Sequence, residues 1–363
     1  MPELTLDTLV IPPAGETNPD FEACVEIARE GRAEFFGTRD NEHSIEAYRL
    51  AWAGNEFDES VHQVARVDGE VVGFFGLTFP LVENTHLVYA MVRVAAAHRG
   101  RGYGTALATA LHEHAVRPGR TTVLASTFHT AAQLEAATET LGTASGDGRI
   151  PADDPAVRLV VANGYELGLI NRASVSRIRD VDLAVLRAQA EARAGDEYTL
   201  VQWHGPSGVQ HLDEVAALYN RMSVDTPIGE IDLQAESWTG ESIAAKERSI
   251  ADEGREQWVT AVDFAGTLIA FTILYLEDGS PTIADQEETL VFSEHRGRSL
   301  GQLIKAANAQ YLLEHKPEVE RIITWNAAEN AHMLAINEAM GFGPLGVSGN
   351  WQKRFVDAPT LES

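Results

Sequence analysis

His98, Arg99, Gly100, Arg101 and Gly104 make up the stretch of this chain best suited to holding a phosphorylated ligand. They lie in V-A-A-A-H-R-G-R-G-Y-G, Val94 to Gly104. The pattern returns 197 residues later as V-F-S-E-H-R-G-R-S-L-G, Val291 to Gly301, with His295, Arg296, Gly297, Arg298 and Gly301 on the matching positions. Each copy follows a strand-like run and opens a helix-like one. The first N–H groups of a helix have no internal partners, and the helix dipole adds positive potential there. Glycines let the backbone come close to a ligand, and the arginines add charge that suits a pyrophosphate. Neither copy has the Gly-Lys-Ser/Thr of a P-loop, or the early strand–turn–helix context and downstream acid of a dinucleotide site. His98 and His295 are read as loop caps.

These loops need strands and helices to position them. Residues 3–11 alternate as a strand, and Asn18-Pro19-Asp20 reads as a helix start with Asp20 as N-cap. Helical spacing runs from Phe21 to Phe36 and again over about 41–53. Val61–Val67 and Val71–Phe79 flank Asp68-Gly69, a hairpin signal. A strand at about 86–94 enters the first loop, followed by a helix at 105–115 and a strand at 121–127. Residues 128–155 read as an insertion with a flexible surface loop, then a short helix before Asn163-Gly164-Tyr165 and closing strands to about Ile178.

The second half repeats this order: strand Tyr198–Trp203, helices near 209–222 and 236–253, hairpin Gln257–Phe264 and Thr267–Leu276, and strand 286–293. A helix over 300–314, strand Arg321–Trp325, helix Ala328–Met340, strands near 342–347 and 350–356 and a polar tail complete it. Residues 68–104 align without a gap to 265–301, with ten of 37 positions identical, which marks an internal duplication. The expected domains are 1–179 and 198–363, joined by a helical linker at 180–197.

A chain of 363 residues suits two domains. A net charge of −26 repels phosphate backbones, so nucleic acid is excluded as a general partner. No apolar run approaches the roughly 20 residues of a membrane span. The start M-P-E-L-T-L-D shows no signal peptide, so a cytoplasmic location is expected. The one cysteine, Cys24, rules out an intrachain disulfide or a multi-cysteine zinc site; it reads as a buried thiol, and no metal is expected.

Arg-x-x-Gly-x-Gly after a Val-x-Val strand resembles the acyl-CoA-binding loop of the GNAT superfamily of N-acetyltransferases. Arg99–Gly104 matches in full, preceded by Val92 and Val94; Arg296–Gly301 departs at Ser299, where the family usually has glycine. The order of elements is similar too. The resemblance implies an α/β (α+β) fold: two tandem GNAT domains, each a mixed, mostly antiparallel sheet flanked by helices. It implies acetyl-CoA (coenzyme A) as cofactor, lying between two splayed strands. Leu290, Val291, Phe292 and Ser293, or Arg93–Ala95 in the first half, would hold the pantetheine arm and polarise the thioester. Arg296, Gly297, Arg298, Ser299, Leu300 and Gly301, with Arg99, Gly100, Arg101, Gly102, Tyr103 and Gly104, would bind the phosphates. Asn330 would bond the cofactor's arm. The tyrosine that often protonates the leaving thiolate is replaced by Asn337, and by Val160 in the first half.

Family members let the amine attack directly and pass its proton to a carboxylate or water on the same strand. Asp285, Glu287 and Glu288 precede the second loop; Asp285 and Glu287 alternate onto one face and are the expected catalytic pair. The first-half counterparts, Val88, Ala90 and Met91, do not titrate. The plain alternative for the carboxylates is a solvated strand edge. Asp225, Glu230 and Asp232 add to an acidic environment. The sequence therefore points to an acyl-CoA-dependent N-acyltransferase, moving acetyl to a primary amine of a small cationic molecule, with the second half catalytic. A non-catalytic acyl-CoA-binding protein, or activity in the first half, are the alternatives.

Overall fold

The computed structural model describes residues 4–355; the polar tail after 356 lies outside them. In chain order the elements are β1 (Leu4–Thr8), α1 (Pro19–Phe36), α2 (Ile45–Ala53), β2 (Asp58–Val67), β3 (Glu70–Pro80), β4 (Leu87–Val94), α3 (Tyr103–Ala115), β5 (Thr122–Thr130), α4 (Ala131–Ala136), β6 (Thr140–Leu141), β7 (Ile150–Pro151), α5 (Pro155–Ala162) and β8 (Glu166–Ser176). There follow α6 (Leu183–Ala194), β9 (Thr199–His204), α7 (Leu212–Asp225), α8 (Gly240–Asp252), β10 (Arg255–Phe264), β11 (Thr267–Glu277), β12 (Ile283–Val291), α9 (Leu300–His315), β13 (Arg321–Ala327), α10 (Ala331–Ala339) and β14 (Gly343–Arg354).

Local chemistry explains most boundaries. Asn18, not Asp20, caps α1: its Oδ1 accepts from the N–H groups of Asp20 and Phe21, and Pro19 fills the first helical position. Both hairpins turn through two successive residues at positive φ, Asp68 and Gly69 at 51° and 83°, Ala265 and Gly266 at 54° and 84°. That is the backbone a two-residue hairpin needs to match strand twist. The segment 128–155 is more ordered than a flexible loop: it holds the end of β5, helix α4 with a capping box at Thr130, and the small β6–β7 ribbon. The closing strands expected near 342–347 and 350–356 form one strand, β14.

The contacts divide the chain into two compact units, drawn differently from the sequence bounds. The first takes the chain to Asn171, Ile228–Leu233 and the stretch from Gly346 onward; the second takes Arg172–Pro227 and Gln234–Leu345. In the first unit, strands run β1-β2-β3-β4-β5-β14, antiparallel except for β4 with β5. The chain's last strand thus completes the sheet of its first unit. Gly346–Arg354 pairs with Thr130–Thr122, and buried Trp351 donates its Nε1–H to Thr127 Oγ1 at 3.0 Å. Asp232, from the α7–α8 connection, accepts from Thr122 Oγ1. In the second unit the order is β9-β10-β11-β12-β13 with the end of β8 beside β13, and only β12 and β13 run parallel within the first five. Helix α6, expected as a linker, packs Ala190 and Ala194 among Leu300, Leu303 and Ile304 of α9.

One sheet face of each unit carries the first two helices of its copy. In the first, Phe21, Cys24 and Trp52 pack on Val64 and Phe74; in the second, Val215, Leu218, Tyr219 and Ile243 pack on Val259 and Phe271. Burial pushes the Cys24 thiol up to about 12, so it is an inert core group.

Because Trp351 is 2% exposed, Trp351→Ala should cost about 3–5 kcal/mol. Hydrogen exchange should show the loss in the first unit, at residues 122–130, although the substitution lies at the end of the chain.

Candidate active site

The two glycine loops share one construction. A 3-10 turn, Ala96–His98 or Ser293–His295, leads from β4 or β12 into α3 or α9. Arg99 Nε donates to Val94 O and Arg296 Nε to Val291 O, both at 3.1 Å. The first arginine of each motif therefore ties the loop to its own strand. Each also meets a carboxylate: Arg99 with Glu34 at 2.8 Å, and Arg296 with Asp225 at 2.7 Å. Arg101 bonds Ala97 O, and Arg298 pairs with Glu197. His98 contacts Glu70 and His295 contacts Tyr198 OH, in keeping with anchoring the loops.

Gly100 and Gly102, and Gly297 and Ser299, have φ between 59° and 86°. Ser299 thus holds with a side chain a conformation that favours glycine. No side chain caps α3 or α9. Their first-turn N–H groups are therefore unclaimed by any capping oxygen, which fits a pyrophosphate. Gly301 lets α9 approach α10: a Cβ there would come within 3.0 Å of Ile336 Cδ1.

Upstream of the second loop, β12 pairs with β13 only from Ile283–Arg321 to Gln286–Thr324. Beyond that the two strands part, and the main chain on that side of Glu287–Val291 has no strand partner. Such groups need hydrogen bonds from elsewhere, which an extended amide-bearing ligand provides. On its other edge β12 carries a bulge: Thr272 is opposite Thr289 but Leu274 is opposite Gln286, so Glu287 and Glu288 together face Ile273. Gln286 pins the bulge, its Nε2 donating to Thr272 Oγ1 at 3.0 Å and Ile273 O at 2.7 Å. In the first unit β4 and β5 part in the same way after Ala90 and Ala125, but β4 has no bulge.

The bulge breaks the simple alternation read from sequence. It turns Glu288 as well as Glu287 toward the face covered by α7 and α8. Tyr219 OH donates to Glu288 Oε1 at 3.0 Å, and Glu288 Oε2 is buried without a partner. Glu287 is half exposed and 3.6 Å from Arg255. Desolvation in this recess, then the charges of Glu288 and Asp285, push its carboxyl up to about 7 against the pull of Arg255 and Lys246. Asp285 stands opposite Tyr275 on β11. Burial and the Glu288 charge raise the Tyr219 and Tyr275 hydroxyls well above their usual range. Trp238 lies against Tyr219 at 5.4 Å, and the Lys246 ammonium is 5.5 Å from both ring centroids.

The first unit differs on the corresponding face. Arg93 stands on β4 where the second unit has Leu290, half-buried, bonded to Val92 O and close to Gly31 of α1. His62, stacked on Trp52, is pushed down to about 4 by burial. His62 therefore holds no proton near neutral pH, and the Arg93 guanidinium already carries its own, so neither is placed to act as a base there.

Of the other expected residues, Leu290 is buried, while Val291, Phe292 and Ser293 run from β12 into the loop, where Ser293 Oγ accepts from Arg221. Asn330 caps α10, its Oδ1 accepting from Met333 N at 3.1 Å, so that oxygen is already engaged. Sequence reading missed Tyr219, Trp238 and Arg221, because their importance depends on how α7 and α8 fold back. It named Glu288 but could not see the bulge.

In the second unit, then, a strand parts from its parallel neighbour and runs into an uncapped loop and helix, with carboxylates at the parting. Residues 21–141 match the acetyltransferase (GNAT) family. Among solved structures, a tandem GNAT protein from the clavulanic acid biosynthesis pathway aligns with a TM-score of 0.76 and 24% identity, over 97% of this chain and 98% of that one. A GCN5-related N-acetyltransferase from Sphaerobacter thermophilus aligns at 0.62 and 13%, over 99% and 98%. The glucosamine N-acetyltransferase region of a fungal multi-domain β-N-acetylglucosaminidase aligns at 0.61 and 16%, over 98% of this chain and 38% of that one. Both halves thus share the tandem GNAT layout. No curated protein matches by sequence. Among the described residues no helix is long and apolar enough to cross a membrane.

The position of Glu287 has a thermodynamic consequence. Folded protein keeps its proton up to about pH 7, whereas an unperturbed glutamate loses it near 4.5. The native state then binds more protons, so stability falls as pH rises between those values. Glu287→Gln should raise Tm above pH 7 and leave it unchanged at about pH 4; the gain should be small, because water screens the half-exposed side chain.

Proposed function

We propose that the chain transfers acetyl from acetyl-CoA to a primary amine of a small cationic molecule, with the second unit catalytic. The observation that carries this reading is the bulge that sets Glu287 and Glu288 side by side where β12 leaves β13. Acetyl-CoA would supply an acyl thioester, an electrophile. The uncapped start of α9, with Arg298 and Ser299, would hold the phosphates, and the unpaired main chain of Leu290–Ser293 would hold the pantetheine arm. These groups position the thioester beside the attacking amine.

Glu287 is suited to accept a proton. Its carboxyl lies half exposed at the parting and titrates at about 7, close to the pH at which a general base is most useful. Tyr219 fixes Glu288 through its hydrogen bond, and Asp285 and Glu288 together raise Glu287 toward that value. The same carboxylates favour a cationic acceptor over a neutral one. Trp238 and Tyr219 form an aromatic wall that already faces the Lys246 ammonium, which supports an amine-bearing ligand there.

Thiol release with acetyl-CoA and a panel of polyamines, amino sugars and aminoglycosides tests the reading. Activity should rise with pH to a plateau above about 7. Glu287→Gln should lower kcat by about 100-fold or more and leave KM for acetyl-CoA unchanged. Trp238→Ala should raise KM for the amine alone. Full activity in Glu287→Gln would remove the assigned base.

A second reading places catalysis in the first unit, because the family match and the intact Arg-x-x-Gly-x-Gly fall there. It lacks a carboxylate at the β4–β5 parting. Turnover abolished by Gly104→Glu but surviving Gly301→Glu would favour it.

A further inference from the structure

Lys305 is buried in the middle of α9, 1% exposed, and among the described residues no carboxylate pairs with it. Its Nζ donates to Asn337 Oδ1 at 2.7 Å; Met333 Sδ is 3.9 Å away and the Phe342 ring centroid 5.7 Å. Asn337, itself 2% exposed, passes the bond on: its Nδ2 donates to Asn326 Oδ1 at 2.6 Å. An isolated buried lysine is costly, and nothing in the packing of α9 requires one.

The chemistry of the groups fixes the direction of this chain. A lysine ammonium can only donate, so Asn337 must present its oxygen to it. The Asn337 amide group then points to Asn326, which must accept with its own oxygen. Asn326 Nδ2 is therefore turned away from the relay, and it has no partner among the described residues. Asn326 stands on β13 two residues beyond Thr324, where β12 and β13 have parted. Glu287 and Glu288 approach the same gap from the α7–α8 face; Lys305 and Asn337 belong to α9 and α10 on the other.

We propose that Lys305, Asn337 and Asn326 form a polarised relay that presents Asn326 Nδ2–H to the sulfur leaving in the β12–β13 gap. The inference rests on the second unit being the acyl-transfer site. In that reaction the C–N bond forms, the C–S bond breaks, the electron pair leaves on sulfur and the amine proton goes to Glu287. The sulfur need not be protonated by the protein. A donor backed by a buried positive charge lowers the energy of the thiolate, which takes its proton from water after release. Asn326 would touch the leaving group; Lys305 and Asn337 are positioning residues. Burial pushes the Lys305 ammonium down to about 7, and negative charge arriving in the gap would restore its protonated form.

The bound thiol of coenzyme A reports on the relay without turnover. The titratable and charged groups around the gap are Asp285, Glu287 and Glu288 on β12, Tyr219 on α7, Lys246 on α8, Arg255 on β10, Tyr275 on β11, Lys305 on α9 and Glu329 in the β13–α10 turn; His332 and Glu338 of α10 are exposed. The carboxylates raise the pKa of a thiol here and Arg255 and Lys246 lower it; Lys305→Met leaves all of these in place, so the difference between variant and unaltered protein isolates the relay. Thiolate absorbance of the protein–coenzyme A complex, followed against pH, is the measurement. Lys305→Met, which fits apolar surroundings, should bind coenzyme A with unchanged Kd at low pH, and its bound thiol should titrate about one unit higher than in the unaltered protein. Its kcat should fall about 10- to 100-fold with KM for acetyl-CoA held. Coenzyme A bound elsewhere cancels in the comparison. An unchanged thiol titration in a variant that still binds would overturn the relay. If Lys305→Met fails to fold, Asn326→Ala gives the same reading: a higher thiol titration supports the relay and an unchanged one rejects it. Failure of the unaltered protein to bind coenzyme A would overturn the site assignment, and the relay with it.

Discussion

The separation of β12 from β13 is the constraint on which the second unit's site depends. Two parallel strands that have paired for four residues have every reason to continue, since each further rung satisfies two main-chain groups. They stop at Gln286, whose side chain reaches toward β11 to meet Thr272 and Ile273, while Thr324 Oγ1 bonds Gln286 O. These bonds fix a bulge, and a bulge bends and twists its strand. The bulge re-aims the two glutamates after Gln286; the parting of the strands also occurs in the first unit, where β4 has no bulge. Removing Gln286 would leave acceptors unmet in the sheet, not simply empty a pocket.

Much of the fold was legible because its signals are local. Asp68-Gly69 and Ala265-Gly266 sit between apolar runs, and both turn as two-residue hairpins must. The repeated His-Arg-Gly-Arg loops and the gap-free alignment around them gave the tandem layout. What could not be read depends on contacts between distant segments. Nothing in G-V-S-G-N-W-Q-K-R says that β14 belongs with β5, because its alternation fits any half-buried strand. At the site, Asp285 and Glu287 were placed on one face by strict alternation; the bulge that adds Glu288 has no sequence signature. Lys305 was overlooked because a lysine among Leu303, Ile304 and Ala306 reads as the exposed side of an amphipathic helix.

The duplicated halves have kept different parts of one design. Both retain the arginine that ties the loop to its strand and an uncapped helix start. The first keeps all its loop glycines, yet fills the face beside its gap with the Arg93 guanidinium and a neutral His62. The second accepts a serine at positive φ, yet gathers Asp285, Glu287, Glu288, Tyr219 and Trp238 at its gap. A cation approaching the first gap meets the Arg93 guanidinium; one approaching the second meets carboxylates. Loop geometry tolerates one strained residue more readily than proton transfer tolerates a missing base, so motif completeness and chemical competence need not coincide.

The last strand of the chain has a consequence for how the protein is made. A ribosome delivers the first unit's helices and five strands early, but β5 then presents an open edge. Its partner, Gly346–Arg354, follows the whole second copy in the chain. The nascent first unit must therefore wait, incomplete and with an unpaired edge, while the whole second copy is synthesised. Completion of the half made first thus waits on the half made second, and a chain cut short before Gly346 is left with an unfinished beginning.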